Sequence, residues 1–289
     1  MTEPAARGFS RSREPAWVKW LLIGAVYLIV TVLIVVPVVQ VFCIAFSAGI
    51  EMFIQKALVD HDSRHAMWMT FWVTLISVTI NIFFGVALAW AVARFKFPGR
   101  TLLISMVDLP FAISPVAVGL MFMLLFGRQG FFGGWLDEWG IEIVFSTPGL
   151  ILATTFVTLP FIARELIPVM EAIGPDEELA AITLGASGWQ MFWMITIPNI
   201  RWALLYGIIL CTARAMGEFG AVSVLSGKIA GLTETMPLRI DKLFNEHDEQ
   251  GAFAIAAILT LFSLITLAAK ALMEHWVLAS IKKPDADEL

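Results

Sequence analysis

The chain has 289 residues, of which 59% belong to the set AVILMFWYC and 15% are charged, with a mean hydropathy of +0.83 and a formal net charge of −5. Soluble domains carry about 25% charged residues, so an apolar excess spread over the whole chain excludes an ordinary water-soluble class and makes lipid part of the solvent. The negative balance excludes the basic face that nucleic-acid binding needs.

Six stretches each supply the roughly 20 mostly apolar residues that a helix needs to cross the hydrocarbon core: 20–46, 67–93, 102–127, 148–170, 202–226 and 252–276. The expected fold class is an all-α membrane protein of about six transmembrane helices. The tails are expected at 1–19 and 277–289, with one transmembrane domain over 20–276 between them. The first stretch outruns the apolar part of a signal peptide and has no small-x-small cleavage site, so an uncleaved span is expected. Arg7, Arg11, Arg13 and Lys19 precede it, Arg94, Lys96 and Arg100 follow span two, and Lys282 and Lys283 follow span six. The opposite flanks hold Lys56, Arg64, Arg128, Lys228, Arg239 and Lys242, so cation weighting places both termini in the cytoplasm. Trp17, Trp20, Trp68, Trp135, Trp139, Trp202 and Trp276 fall at predicted span ends, where indole favours the interface.

Between spans one and two, His61 and His65 stand four apart without a third ligand nearby, and no metal site is expected. Cys43 and Cys211, far apart inside apolar runs, read as packing residues. In span three, Asp108 lies about a third of the way in. A charge at the bilayer centre costs about 2.5–3.5 kcal/mol, so Asp108 is expected to pair with an arginine such as Arg164 of span four, which Glu165 follows. Pro110 and Pro115 each remove a helical hydrogen bond around Ser114. Such backbone is tolerated only where protein or a water-filled cavity satisfies it, so span three is expected to bend, around a path or as a plain kink. Arg214 and Glu218 of span five are four apart on one helical face. Mutual neutralisation and a role toward a charged solute both fit.

The loop 171–201 carries the most information. Gly174-Pro175 breaks span four, and Asp176, Glu177 and Glu178 sit where a helix N-terminus favours negative charge. A short helix through Leu184 is expected, then a turn at Gly185. Ser187 and Gln190 have capping-box spacing and open a second helix; Pro198 and Asn199 are expected to reset the chain before span five. Leu179, Ile182, Leu184, Trp189, Phe192 and Trp193 make this loop apolar outside the membrane, and such surface must be covered by something.

Ala180-Ala181, then Gly185, then Ile197-Pro198 resembles the EAA loop of the binding-protein-dependent ABC-importer permease family. Leu109-Pro-Phe-Ala-Ile-Ser-Pro115, Gly185-Ala-Ser-Gly-Trp-Gln-Met-Phe192, Pro198-Asn-Ile-Arg-Trp-Ala-Leu-Leu-Tyr-Gly207 and Ala213-Arg-Ala-Met-Gly-Glu-Phe-Gly-Ala-Val222 narrow this to the sulfate/molybdate group, and within it to the sulfate/thiosulfate permeases of CysW type. The resemblance spans most of residues 15–280 and implies a type I importer permease fold in the bacterial inner membrane. It also implies that the loop is a coupling helix seated in an ATPase subunit, through Glu178, Leu179, Ala180, Ala181, Leu184, Gly185, Ala186 and Pro198. One position departs: Leu179 stands where the family has Glu, with Glu178 a step earlier and rotated by about 100°. The resemblance further implies that span five lines the pathway, making Arg214 and Glu218 candidate pathway residues, with Arg214 lending positive potential for a dianion; Ser114 and Pro115 are candidates through the bend of span three around that path. Asp108, Arg164 and Glu165 are structural charges on this reading.

The partners so implied are a dimer of ATPase subunits of CysA type, a second permease of CysT/CysU type and an external sulfate-binding protein. Importer ATPases need G-x-x-x-x-G-K-[ST]. The nearest approach here, Ser226-Gly227-Lys228-Ile229, lacks the first glycine and the hydroxyl after lysine. No catalytic residue and no cofactor is expected in this chain; ATP and Mg would belong to the partner ATPase. The outer loops 128–147 and 227–251 are expected to carry short helices near 135–140 and 235–245 and, by analogy, to face the binding protein. A permease for molybdate or tungstate is the near alternative. A secondary transporter would show two matching halves, and no repeat of that kind is evident in the sequence.

Overall fold

α1 (Trp17–Ala45) opens the part of the chain that the computed structural model describes, residues 16–281. The expectations resting on Arg7, Arg11, Arg13, Lys282 and Lys283, and on most of the two tails, lie outside the described residues. α1 is apolar all round and exposed along nearly its whole length, as a lipid-facing span should be. A single π turn, Thr31–Val35, precedes Pro37, whose missing N–H cannot bond into the preceding turn.

After α2 (Ile50–Ile54) and a π turn come α3 (His61–Arg94), α4 (Arg100–Ala112), α5 (Pro115–Phe126), α6 (Gly133–Glu138) and α7 (Thr147–Ile173). α8 (Asp176–Thr183), α9 (Gly188–Met216), α10 (Gly220–Leu225), α11 (Met236–Asn245) and α12 (Glu249–Ile281) complete the order. Among the described residues the regular structure is helical.

α3, α7 and α9 form the centre. Met69, Val73, Leu150, Ala153 and Val157 pack at one end, and Val78, Val86, Ile162, Leu166, Ile200 and Cys211 at the other. α3 and α7 come close because Gly85 has no side chain: a Cβ there would sit 2.8 Å from Ile162 Cγ2. Lipid offers no water to polar groups, and two members of the buried polar stripe of α3 find partners across this contact. Ser77 Oγ donates to the Ile151 carbonyl at 3.2 Å, and Asn81 Nδ2 donates to Thr158 Oγ1 at 2.8 Å.

Span three bends at its prolines as expected, and two features of span five correct the sequence reading. Span three is two helices bent by 110° between Ala112 and Pro115. Their 13 and 12 residues give each about 20 Å, too short to cross a core of about 30 Å alone. Span five does not run to residue 226: α9 stops at Met216, and 220–225 form the separate α10. Pro198 does not reset the chain, because α9 passes through it from Gly188 with a π turn at Phe192–Thr196. A proline in the first turn after that π turn lacks only an N–H that the wider turn leaves free.

Candidate functional site

One end of the bundle gathers the 94–100 connection and the 174–199 loop. α8 begins after Gly174, at φ +74°, and ends before Gly185, at φ +92°, both left-handed values that suit glycine. At its C-terminus the Leu184 N–H donates to the Ala180 carbonyl at 3.1 Å and the Ala186 N–H to the Ala181 carbonyl at 3.0 Å. The next turn starts on a capping box: Ser187 Oγ accepts from the Gln190 N–H and Gln190 Oε1 from the Ser187 N–H.

The two faces of this helix pair differ. Glu178 and Ala181 face inward, whereas Leu179, Ala180, Ile182 and Leu184 face out, Leu184 being 89% exposed. Trp189, Trp193 and Met194 continue the exposed apolar surface. Gly185 and Pro198 are exposed and Ala186 is half-buried. Glu178, grouped in the sequence with the outward coupling residues, is placed inside instead: Arg94 Nε donates to its Oε2 at 2.7 Å, Arg94 Nη2 to its Oε1 at 3.1 Å, and Thr196 Oγ1 to Oε1 at 2.9 Å. Arg94 Nη1 donates to the Met170 carbonyl at 2.8 Å. Arg100 pairs with Glu171 beside this knot. In the sequence Arg94 reads only as a topogenic charge, and the signal for its pairing is a glutamate in the first turn of the helix that follows directly on span four.

Deeper in the bundle, the break after Ala112 leaves Ser114 exposed as the N-cap of α5, with no side-chain cap bond, and Pro115 in its first turn. α10 packs on α5 at this break: a Cβ on Gly220 would meet Pro115 Cβ at 2.7 Å, and one on Gly119 would meet the Ala221 carbonyl at 2.8 Å. Arg214 Nη1 lies 2.6 Å from Glu218 Oε2, although Gly217 ends the helix between them. The Glu218 side chain is 1% exposed and that of Arg214 33%. Glu218 Oε1 also accepts from the Ala221 N–H at 3.0 Å, so one carboxylate neutralises Arg214 and holds the start of α10.

Asp108 and Arg164 meet across α4 and α7 at 3.0 Å, with the guanidinium 4.9 Å from the centre of the Phe111 ring. Glu165 does not share this contact. One residue on, it turns toward α9, where its Cβ would lie 3.6 Å from a Cβ on Gly207. Ser226-Gly227-Lys228 forms a tight turn rather than a phosphate cradle: Ser226 Oγ donates to the Thr233 carbonyl and Lys228 Nζ pairs with Asp241 at 2.7 Å.

The opposite end carries a second charged cluster that sequence reasoning did not assemble. Asp60 caps α3, accepting from the Ser63 N–H at 2.9 Å, and Arg239 Nη2 reaches it at 3.0 Å. Burial works against the Asp60 carboxylate, but Ser63 and Arg239 outweigh it and hold its pKa below the ordinary value. Glu234 is fully buried, 3.5 Å from Arg239 and 3.8 Å from Lys242. Burial pushes its carboxyl up, with Lys242 and Arg239 opposing. Nearby, α6 and the chain around Arg128, Glu142 and Phe145 line a cavity of about 700 Å³. Among the described residues no group of three His, Cys, Asp or Glu could hold a metal ion.

Comparison with known proteins places this arrangement. Residues 81–278 match the family described as binding-protein-dependent transport system inner membrane component. The sulfate transport system permease protein CysW of Escherichia coli (strain K12) is 51% identical over 272 residues, covering 94% of this chain and 93% of that protein. The CysW of Synechocystis sp. is 49% identical over 258 residues, covering 89% and 93%. In fold, the chain is similar to a bacterial ABC transporter that imports the acidic polysaccharide alginate, with a TM-score of 0.72 at 18% identity over 92% of this chain and 96% of that one.

Proposed function

This chain belongs to the family of binding-protein-dependent transport system inner membrane components, and on that footing we propose that it is the permease subunit through which an ATP-driven importer moves sulfate or thiosulfate into the cell. It is a multi-pass protein of the inner membrane. The proposal includes both termini in the cytoplasm, which puts α8 and the start of α9 on the side where ATP is available.

The observation that carries the reading is the exposed apolar face of Leu179, Ile182, Leu184, Trp189 and Trp193 at the end of the bundle that also holds Arg94 and Arg100. A face of this kind outside lipid calls for a protein cover, and in this reading the cover is an ATPase subunit. That subunit binds ATP and Mg, and this chain contributes no ATP site. A dimer of such ATPases, a second permease of CysT/CysU type and an external sulfate-binding protein complete the complex. The identity to CysW proteins favours sulfate over molybdate or tungstate.

The pathway side is the break at Ser114-Pro115 together with α10 and Arg214. Arg214 keeps a third of its side chain exposed while Glu218 is buried behind it. A fork-shaped cation suits a tetrahedral oxyanion, and the paired carboxylate lowers the net attraction so that the anion can leave. Purifying the tagged chain from mild detergent and assaying for ATPase tests the engine. Growth of a deletion strain on limiting sulfate, set against its molybdoenzyme activity, tests the substrate. A chain that transports alone in proteoliposomes would refute the proposal.

A further inference from the structure

α8 is joined to its neighbours by glycine at both ends, Gly174 at φ +74° and Gly185 at φ +92°. Glycine joints are the most permissive connection a backbone offers, so chain continuity alone would let α8 swing without moving the spans. The Arg94 fork removes that freedom. It grips Glu178 of α8 through two N–H···O bonds and the Met170 carbonyl of α7 through a third, while Thr196 of α9 donates to the same carboxylate. The side chains of Arg94 and Glu178 are 10% and 9% exposed. Water screens such a pair little, and bidentate guanidinium–carboxylate bonding fixes direction as well as distance. A second link lies beside it, where the Phe192 ring of the π turn meets Trp90 of α3 with centroids 6.0 Å apart.

We infer that Arg94, Glu178 and Thr196 form a positioning latch that makes α8 move as one body with the ends of α3, α7 and α9, so that a displacement imposed on the exposed face of α8 reaches three spans at once. The latch rests on the proposed importer reading and deepens it. The departure of this loop from its family pattern fits the same picture: Leu179 is left outside as apolar docking surface, and the acid one step earlier turns inward.

The test uses the complete complex in proteoliposomes, with ATPase, second permease and sulfate-loaded binding protein. The variants are Arg94→Gln, Arg94→Lys, Glu178→Gln and Thr196→Val. The readouts are the ratio of binding-protein-stimulated to unstimulated ATP hydrolysis and the sulfate moved per ATP. Both should fall by about tenfold in Arg94→Gln and Glu178→Gln, within the usual range for coupling between linked sites. Arg94→Lys keeps the charge without the fork and should recover less than half of the loss. A role confined to folding would lower the yield of complex and leave both ratios at the wild-type value, and that result overturns the latch. Should Arg94→Gln and Glu178→Gln not assemble, Thr196→Val and Arg94→Lys decide between the same two outcomes. A wild-type complex without any stimulated hydrolysis would instead overturn the importer reading itself.

Discussion

Arg214 and Glu218 meet at 2.6 Å across a helix that has already ended, because α9 stops at Met216 and the chain turns at Gly217. The carboxylate therefore answers to two groups, the guanidinium behind it and the Ala221 N–H ahead of it at 3.0 Å. Removing one partner of a buried pair leaves the other charge uncompensated, at a cost of about 3–5 kcal/mol. Arg214→Gln strands the Glu218 carboxylate, whose side chain is 1% exposed, and should lower the thermal stability of the detergent-purified chain by an amount of that order. Glu218→Ala leaves a guanidinium that is one-third exposed and should cost less. At a temperature where the variant stays folded, Arg214→Gln should also reduce sulfate-stimulated ATP hydrolysis of the assembled complex by about tenfold, as expected for coupling of about 1–2 kcal/mol. Normal folding with unchanged stimulation would exclude a role for Arg214 in the pathway.

The outward face of α8 supplies a prediction on assembly. Leu184 is 89% exposed, so Leu184→Asp should shift the stability of the isolated chain by less than about 0.5 kcal/mol. Buried in an interface, the same leucine should cost about 2 kcal/mol or more when replaced. Retention of the ATPase subunit on purified Leu184→Asp should drop more than tenfold, read by quantitative pull-down. Equal retention would place the docking surface elsewhere.

The contact between α5 and α10 depends on close approach. A Cβ at Gly119 would lie 2.8 Å from both the Ala221 carbonyl oxygen and Val224 Cβ, whereas one at Gly24 meets nothing within 4 Å. Gly119→Ala should destabilise the chain by about 1–3 kcal/mol through overpacking. Gly24→Ala should be neutral or slightly stabilising in the same thermal assay.

At the opposite end, the raised pKa of Glu234 gives a pH dependence with a definite sign. Between the ordinary glutamate range, about 4.3, and its raised folded value, the folded chain binds more protons than the unfolded one. The contribution of this group to stability is therefore complete below that range, is lost as pH rises through the window, and is flat above it. Glu234→Gln should flatten the melting temperature against pH there. An unaltered slope would assign the dependence to other groups.

The fold class was legible from composition and run length, because a bilayer demands long apolar helices whatever their neighbours. The helix–glycine–helix after span four was also legible: Gly174, Gly185 and the Ser187–Gln190 box act through local backbone geometry. The bend at Ser114 was foreseeable from two prolines, but its 110° was not, since α5 packs against α10, a partner from far along the chain. The end of α9 was missed because the sequence stays apolar past Gly217, and hydropathy does not register a change of direction.

By itself, then, the sequence determined that this is a helical membrane protein, where its spans lie approximately, and which loop exposes an apolar face, all consequences of solvent preference and short-range backbone chemistry. Only the tertiary structure decided which charges hold which helices. Arg94 finds Glu178 across 84 positions of chain, and Arg239 finds Asp60 across 179. Pairings of that range follow from how α3, α7 and α9 pack, and packing depends on shape complementarity among many side chains at once, which no local pattern of residues contains.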